Sequence, residues 1–305
     1  MSLRVVFLGT SASIPTMRRN LPSIAVMRRA ELFMFDCGEG TQRQLMRTGL
    51  GLGRKTRILV SHMHGDHVLG LPGLLQTMAM MGRERPLHLY GPPGLSEFID
   101  CSLRSVHFQP DYRLELHETT GGNICEEHDY VVTAAPVTHT CFALGYALEE
   151  KPRPGRFNAS QAKLLGVPEG PLWKRLQLGH SVRMPSGVEI SPSQVLGPPR
   201  PGLKFVYTGD TSPSDTVLKL AEGADLLIHD GTFASDMAEK AASEGHSTAA
   251  EAASVAKGAK VRQLALTHIS ARYEDAETLA AEARAIFQNT VVAEDLMEIV
   301  LRYTD

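Results

Sequence analysis

The sequence predicts an α/β fold, and three observations carry that reading. Short β-rich runs alternate with segments of helical apolar spacing along most of the chain. Several of these runs end directly on a histidine or an aspartate, the strand-end position where α/β folds place ligands. Two late Ala-rich stretches, 247–256 and 275–286, have the period of helices laid against a sheet.

The elements follow in order. Leu3 to Leu8 is a strand that stops at Gly9. Ser23–Met27 and Glu31–Phe35 flank a polar Arg28-Arg29-Ala30 corner and form a hairpin. Thr41–Thr48 is a helix closed by Gly49, and Arg57–Ser61 is a strand running into His62. From Gly70 to Gly82, Leu71, Leu74, Leu75 and Met78 are spaced as one helix face. The alternation continues through 87–90, 95–103 and 130–135. Later strands are expected at Phe205–Thr208, Leu226–His229 and Leu264–Thr267. Ser247-Thr248-Ala249-Ala250-Glu251 starts its helix with a capping pattern. Arg57–His62 and Arg262–His268 echo one another: each is an apolar strand, a small hydroxyl residue and then His.

The block from Lys151 to Arg183 departs from this pattern. It is rich in Pro and Gly, with one short helical piece at Ala159–Leu165, and is too long for a plain connection. It carries seven basic side chains against one acidic, Glu169, in a chain whose net charge is −3. Charge gathered on one appendage suits contact with a phosphate backbone, although the whole chain is no cationic coat.

With 305 residues, 43% of them hydrophobic and 21% charged, there is material for a large core, which excludes a disordered or coiled-coil chain. Cys37, Cys101, Cys125 and Cys141 are far apart and form neither a disulfide framework nor a thiolate zinc knuckle, which points to a reducing, cytoplasmic setting. No apolar run approaches the roughly 18 residues of a membrane helix, so no membrane partner is expected.

The densest chemistry is His62-Met63-His64-Gly65-Asp66-His67. Four potential ligands in six residues converge only if the segment folds as a tight loop, for which Gly65 supplies the freedom. His139, Asp210 and His268 follow other strands and complete a set of five imidazoles and two carboxylates. That donor set favours borderline divalent ions, Zn²⁺ first, with Mn²⁺, Fe²⁺ and Co²⁺ also compatible. Seven donors exceed one tetrahedral sphere and suit two ions about 3.5–4 Å apart, an arrangement adapted to phosphodiester hydrolysis. His88, His107, His117 and His128 stand in segments with no convergent partners, His180 reads as a surface residue, and His229 packs behind the site.

Taken with Phe7-Leu8-Gly9-Thr10-Ser11 and Phe35-Asp36-Cys37-Gly38-Glu39-Gly40-Thr41-Gln42, this constellation resembles the tRNase Z family of the metallo-β-lactamase superfamily, in its short form. The resemblance runs the whole chain and implies an αββα sandwich, one domain over 1–305 with an inserted arm at 151–183. It implies that His62, His64 and His139 hold one divalent ion and Asp66, His67 and His268 a second, with Asp210 bridging. His246, in Gly245-His246-Ser247-Thr248, resembles the proton donor to the leaving group. Its expected partner is Asp230, in a position where the family usually has the longer Glu. Asp66 doubles as ligand and proton acceptor.

Pro15-Thr16-Met17-Arg18-Arg19-Asn20 is similar to a loop near the tRNA acceptor end, without the family's lysine. Gly155-Arg156-Phe157-Asn158 and the segment 162–171, with Lys163, Gly170 and Pro171, resemble the tRNA-gripping arm, with Asn158 in place of the commoner Asp. His268-Ile269-Ser270-Ala271-Arg272-Tyr273 resembles the closing motif, with Arg272 beside the phosphate. The implied activity is removal of the 3′ trailer from precursor tRNA after the discriminator nucleotide, by a homodimer that needs no nucleotide cofactor. A phosphodiesterase of the same fold acting on cyclic nucleotides or aryl esters, and a non-catalytic RNA-binding scaffold, are the alternatives.

Overall fold

The computed structural model describes residues 2–303. Contacts divide the chain into two compact units. The larger runs to Glu127 and resumes over Val131–Glu149 and Leu203–Arg302; the smaller is built from His128–Tyr130, Glu150–Gly202 and Tyr303.

The larger unit contains two sheets that, among the described residues, have seven strands each. In spatial order the first is Glu298–Arg302, Ser2–Gly9, Ser23–Arg28, Glu31–Phe35, Lys55–Leu59, Leu87–Gly91 and Leu114–Glu118. The second is Thr290–Val292, Leu264–Thr267, Leu226–Asp230, Lys204–Tyr207, Ala143–Glu150, Tyr130–Val137 and Gly122–Glu126. Strands 31–35, 55–59, 87–91 and 114–118 run parallel, as do 204–207, 226–230, 264–267 and 290–292. Parallel strands need both faces covered. Leu71, Leu74, Leu75 and Met78 of helix Leu71–Met80, and Leu95, Ile99 and Leu103 of helix Leu95–Ser105, pack with Ile58, Val60 and Leu89 on the outside of the first sheet. Helices Asp215–Ala221, Ala249–Gly258 and Glu277–Ile286 cover the second. Between the sheets, the Phe35 ring meets Phe205 at 5.0 Å, Tyr207 at 5.8 Å and Tyr146 at 6.1 Å. The result is the expected αββα sandwich.

Two local expectations are corrected. Residues 62–67 are not a pure loop: His64 is extended and Gly65–Val68 then forms one helical turn, with Gly65 at an ordinary φ. The change from extended to helical backbone, rather than a left-handed glycine, brings the ligands round. The Lys151–Arg183 block has a second helix, Pro171–Gln177, in addition to Ala159–Leu164. Pro171 is a starter here, since the missing N–H of a first-turn proline leaves no helical bond unmade. The smaller unit has its own apolar centre of Ala162, Val167, Leu176, Val182, Ile190 and Val195, flanked by Phe157 and Trp173.

Candidate metal centre

Strand ends of the larger unit deliver the chemistry. His62 follows strand Lys55–Leu59, His139 follows Tyr130–Val137, Asp210 follows Lys204–Tyr207, Asp230 closes Leu226–Asp230, and His268 follows Leu264–Thr267. His268 sits at φ +59, a strained left-handed conformation for a residue with a Cβ.

Their side chains meet. His62 Nε2 lies 3.0 Å from His64 Nδ1, and His139 Nε2 lies 3.3 Å from the same atom. Asp210 Oδ2 is 3.2 Å from His268 Nε2, 3.3 Å from His67 Nε2 and 3.7 Å from His62 Nε2. Asp66 Oδ2 is 3.4 Å from His268 Nε2 and 3.5 Å from His67 Nε2, and it accepts from Ser13 N at 3.0 Å. Asp210 is thus shared between the two halves of the cluster.

The supporting bonds fix the tautomers. Ser61 donates its hydroxyl hydrogen to Asp36 Oδ2, so its oxygen accepts from His62 Nδ1 at 2.9 Å. Thr232 donates to Asp230 Oδ1, so its oxygen accepts from His268 Nδ1 at 2.9 Å. His67 Nδ1 donates to Asp36 Oδ2 and His139 Nδ1 to Gly245 O. In all four rings Nδ1 is engaged from outside and Nε2 is left facing inward, the outer arrangement typical of metal-ligating histidines.

One atom tests the fit directly. His67 Nε2 is buried and has no hydrogen-bond partner, a costly condition for a polar nitrogen unless a cation occupies the space it faces. Burial opposes charge on His67, yet Asp210 and Asp36 overrule it and raise its pKa well above the ordinary value. The field that favours a proton there equally favours a metal ion. Burial likewise raises the pKa of Asp210, but His268 and His67 pull it well below the usual carboxylate range, so it stays anionic. The residues fit divalent cations.

Asp230, one methylene shorter than the expected Glu, still reaches His246: Nδ1 donates to Oδ2 at 2.8 Å. Asp230 also accepts from Thr211 N at 3.1 Å and from Thr232 N and Oγ1 at 2.9 and 2.6 Å. Burial works against protonated His246, but the bond to Asp230 and the charges of Asp230, Asp210 and Glu244 together outweigh it and raise the pKa to about 9. The ring stacks on His268, with centroids 5.1 Å apart.

The substrate-contact residues are placed differently from one another. Arg18 borders a groove of about 380 Å³ that Arg43 and Arg47 also line. Arg19 is turned inward, donating to Thr10 Oγ1 at 2.8 Å and Ala293 O at 2.5 Å. Asn20 donates from its backbone to Asp295 Oδ2 and from its side chain to Glu39 O. Arg272 is exposed and lies over the Phe233 ring. Arg156, Lys163, Gly170 and Pro171 are exposed in the smaller unit.

Four residues near these sites escaped the sequence reading. Asp36 anchors His67, and Cys141 offers its sulfur within 4.8 Å of the His62, His64 and His139 nitrogens. Asp36 had a signal, a carboxylate directly after a buried strand; Cys141, two residues past a ligand, had little. Arg43 and Arg47 stand four apart on one helix and share a face. His88 and His117 require a correction: they do have convergent partners, each other and Glu115, because their strands are neighbours in the first sheet. His229 packs behind the site as expected, with Nδ1 donating to Asp230 O.

Residues 183–269 match the family model described as the beta-lactamase superfamily domain, and residues 3–135 match the model for anti-Pycsar protein Apyc1. Ribonuclease Z of Methanothermobacter thermautotrophicus is 48% identical over 99% of this chain and 98% of its own. Ribonuclease Z of Myxococcus xanthus is 45% identical, covering 95% and 94% respectively. The crystal structure of human tRNase Z, short form, superposes with a TM-score of 0.72 at 30% identity, over 98% of this chain and 99% of that one.

Proposed function

Since the chain belongs to the ribonuclease Z family and is a hydrolytic endoribonuclease of tRNA 3′ processing, we propose that the seven-donor cluster is its catalytic centre. It holds two divalent ions, Zn²⁺ first among them. The observation that carries this reading is that Nε2 of His62, His67 and His268 all lie within 3.7 Å of the shared Asp210 Oδ2, while Nε2 of His62 and His139 lie within 3.3 Å of His64 Nδ1.

His62, His64 and His139 would hold one ion and Asp66, His67 and His268 the other, with Asp210 between them. Such a pair, when bound, activates water near neutral pH and stabilises charge on phosphoryl oxygens. Asp66, steadied by Ser13 N, accepts the proton of the attacking water. His246, its Nδ1 tied to Asp230, presents Nε2 to protonate the departing 3′ oxygen. Donor and acceptor of protons are thus separate groups held by separate networks.

Cleavage follows the discriminator nucleotide and leaves a tRNA 3′-hydroxyl. Arg18, Arg43 and Arg47 line a basic groove suited to the acceptor end, with Arg272 near the reacting phosphate and Asn20 and Arg19 holding the loop. The smaller unit, with Arg156, Lys163, Gly170 and Pro171 exposed, is the tRNA-binding arm. The active form is a cytoplasmic homodimer. Among the described residues no helix is long and apolar enough to cross a membrane.

The test is a 3′-extended tRNA transcript incubated with the purified protein, before and after chelation and Zn²⁺ return, with a cyclic nucleotide as control substrate. A single cut after the discriminator, lost on chelation and restored by Zn²⁺, is expected. Cleavage of the cyclic nucleotide alone overturns the reading. Light scattering of the same sample reads the oligomeric state.

A further inference from the structure

We propose that His88, Glu115 and His117 form a second, independent binding site for a borderline divalent cation, Zn²⁺ by donor chemistry, at the edge of the first sheet. The site shares no ligand with the strand-end cluster.

The register of the sheet makes it. Strands Leu87–Gly91 and Leu114–Glu118 are parallel, with His88 opposite Glu115 and Tyr90 opposite His117. Residues two apart on a strand share a face, so all four side chains project from one side of a rigid two-strand platform. His88 Nδ1 lies 3.3 Å from Glu115 Oε2 and 3.4 Å from His117 Nε2; His117 Nε2 lies 3.9 Å from Glu115 Oε2. Ligands about 2.0–2.1 Å from a tetrahedral Zn²⁺ stand roughly 3.3–3.4 Å apart. Two edges already match, and the third closes with a small swing of His117.

The donors are preorganised. The His117 ring stacks on Tyr90 with centroids 4.5 Å apart and planes at 15°, and lies 17° from parallel with His88. Arg113 holds the other carboxylate oxygen of Glu115 at 2.9 Å, leaving Oε2 to the imidazoles. Burial, which outweighs the attraction of Glu115, lowers the His88 pKa and leaves a neutral ring with a lone pair to give. The nearby Arg57 cation is spent on Glu31 at 2.8 Å and Glu127 at 2.5 Å. Two imidazoles and one carboxylate, all partly exposed, leave the fourth position open to water or an incoming group. Three-ligand sites of this composition keep an exchangeable position.

The experiment counts metal. Wild type and the double variant His88→Gln/His117→Gln, both stripped, are titrated with Zn²⁺ against a chromophoric chelator. Wild type is expected to bind one more Zn²⁺ per chain than the variant. That difference persists whether the strand-end centre holds two ions or one, so the two readings fail separately. Glu115→Gln, nearly isosteric, keeps the test open if the double variant does not fold; it is expected to weaken one Zn²⁺ at least tenfold while the rest bind unchanged. Equal stoichiometry and equal affinities in wild type and in whichever variant folds overturn the site.

Discussion

Asp36 holds His67 from behind, its Oδ2 2.7 Å from the imidazole Nδ1. The same carboxylate accepts from Tyr207 OH at 2.6 Å and from Ser61 N and Oγ at 2.6 and 2.7 Å. Ser61 in turn fixes His62. One buried anion therefore orients two ring nitrogens belonging to different halves of the cluster. Asp36→Asn keeps the volume but offers an amide N–H where an acceptor is needed. Loss of such an outer partner typically weakens metal binding about 10–100-fold. Chelator competition on the purified variant should read a fall of that size; an unchanged affinity would mean that Asp36 serves the fold alone.

The His246–Asp230 pair has a pH signature. A raised pKa keeps His246 protonated at neutral pH, and the proton is lost as pH rises through the folded value, about 9 in the unliganded chain. If His246 supplies the leaving-group proton, cleavage declines along an alkaline limb. Asp230→Asn removes the charge that holds the proton, so the limb must move to lower pH and the rate at neutral pH drop. A variant whose pH–rate profile merely scales down, with no displaced limb, would assign Asp230 to packing.

Much of this centre was legible because strand-end geometry is local. A β run that stops on His or Asp announces both the element and the ligand it delivers, as in 57–62, 205–210 and 264–268. Strand Ala143–Glu150 gave no such signal. Its sequence, ALGYALEE, has no β-branched residue, and it is a strand because it lies between Tyr130–Val137 and Lys204–Tyr207 with most of its length buried. The His88–Glu115–His117 group was illegible for a related reason. Twenty-seven positions separate His88 from Glu115, and only the parallel pairing of their strands sets them opposite one another. The inward turn of Arg19 likewise depends on Ala293, contributed from the far end of the chain.

At Gly209 both the backbone conformation and the space around it call for glycine. Its φ is +62, and a Cβ there would stand 2.7 Å from the Cβ of Ser61, the residue that orients His62. Gly209→Ala therefore combines left-handed strain with a clash against a packed strand end, a cost of about 1–3 kcal/mol. The displacement falls on Asp210, the shared carboxylate. Thermal unfolding should show reduced stability, and bound Zn²⁺ should drop in the material that stays folded. A variant with wild-type melting and metal content would show that the turn relaxes freely.

The smaller unit should act on substrate capture rather than on bond cleavage. Lys163, Lys174 and Arg175 are exposed on its two helices. Lys163 is 65% exposed and only loosely paired, 3.9 Å from Glu169. Each cation that neutralises a phosphate steepens the salt dependence of binding by about one unit in log–log slope. Replacing all three by Ala should flatten the slope of tRNA affinity against salt by about 2–3 units. KM for a 3′-extended tRNA should rise, while hydrolysis of a small aryl phosphodiester stays at the wild-type rate. Equal losses on both substrates would place these side chains in the stability of the unit, and a slope identical to wild type would remove them from the RNA contact.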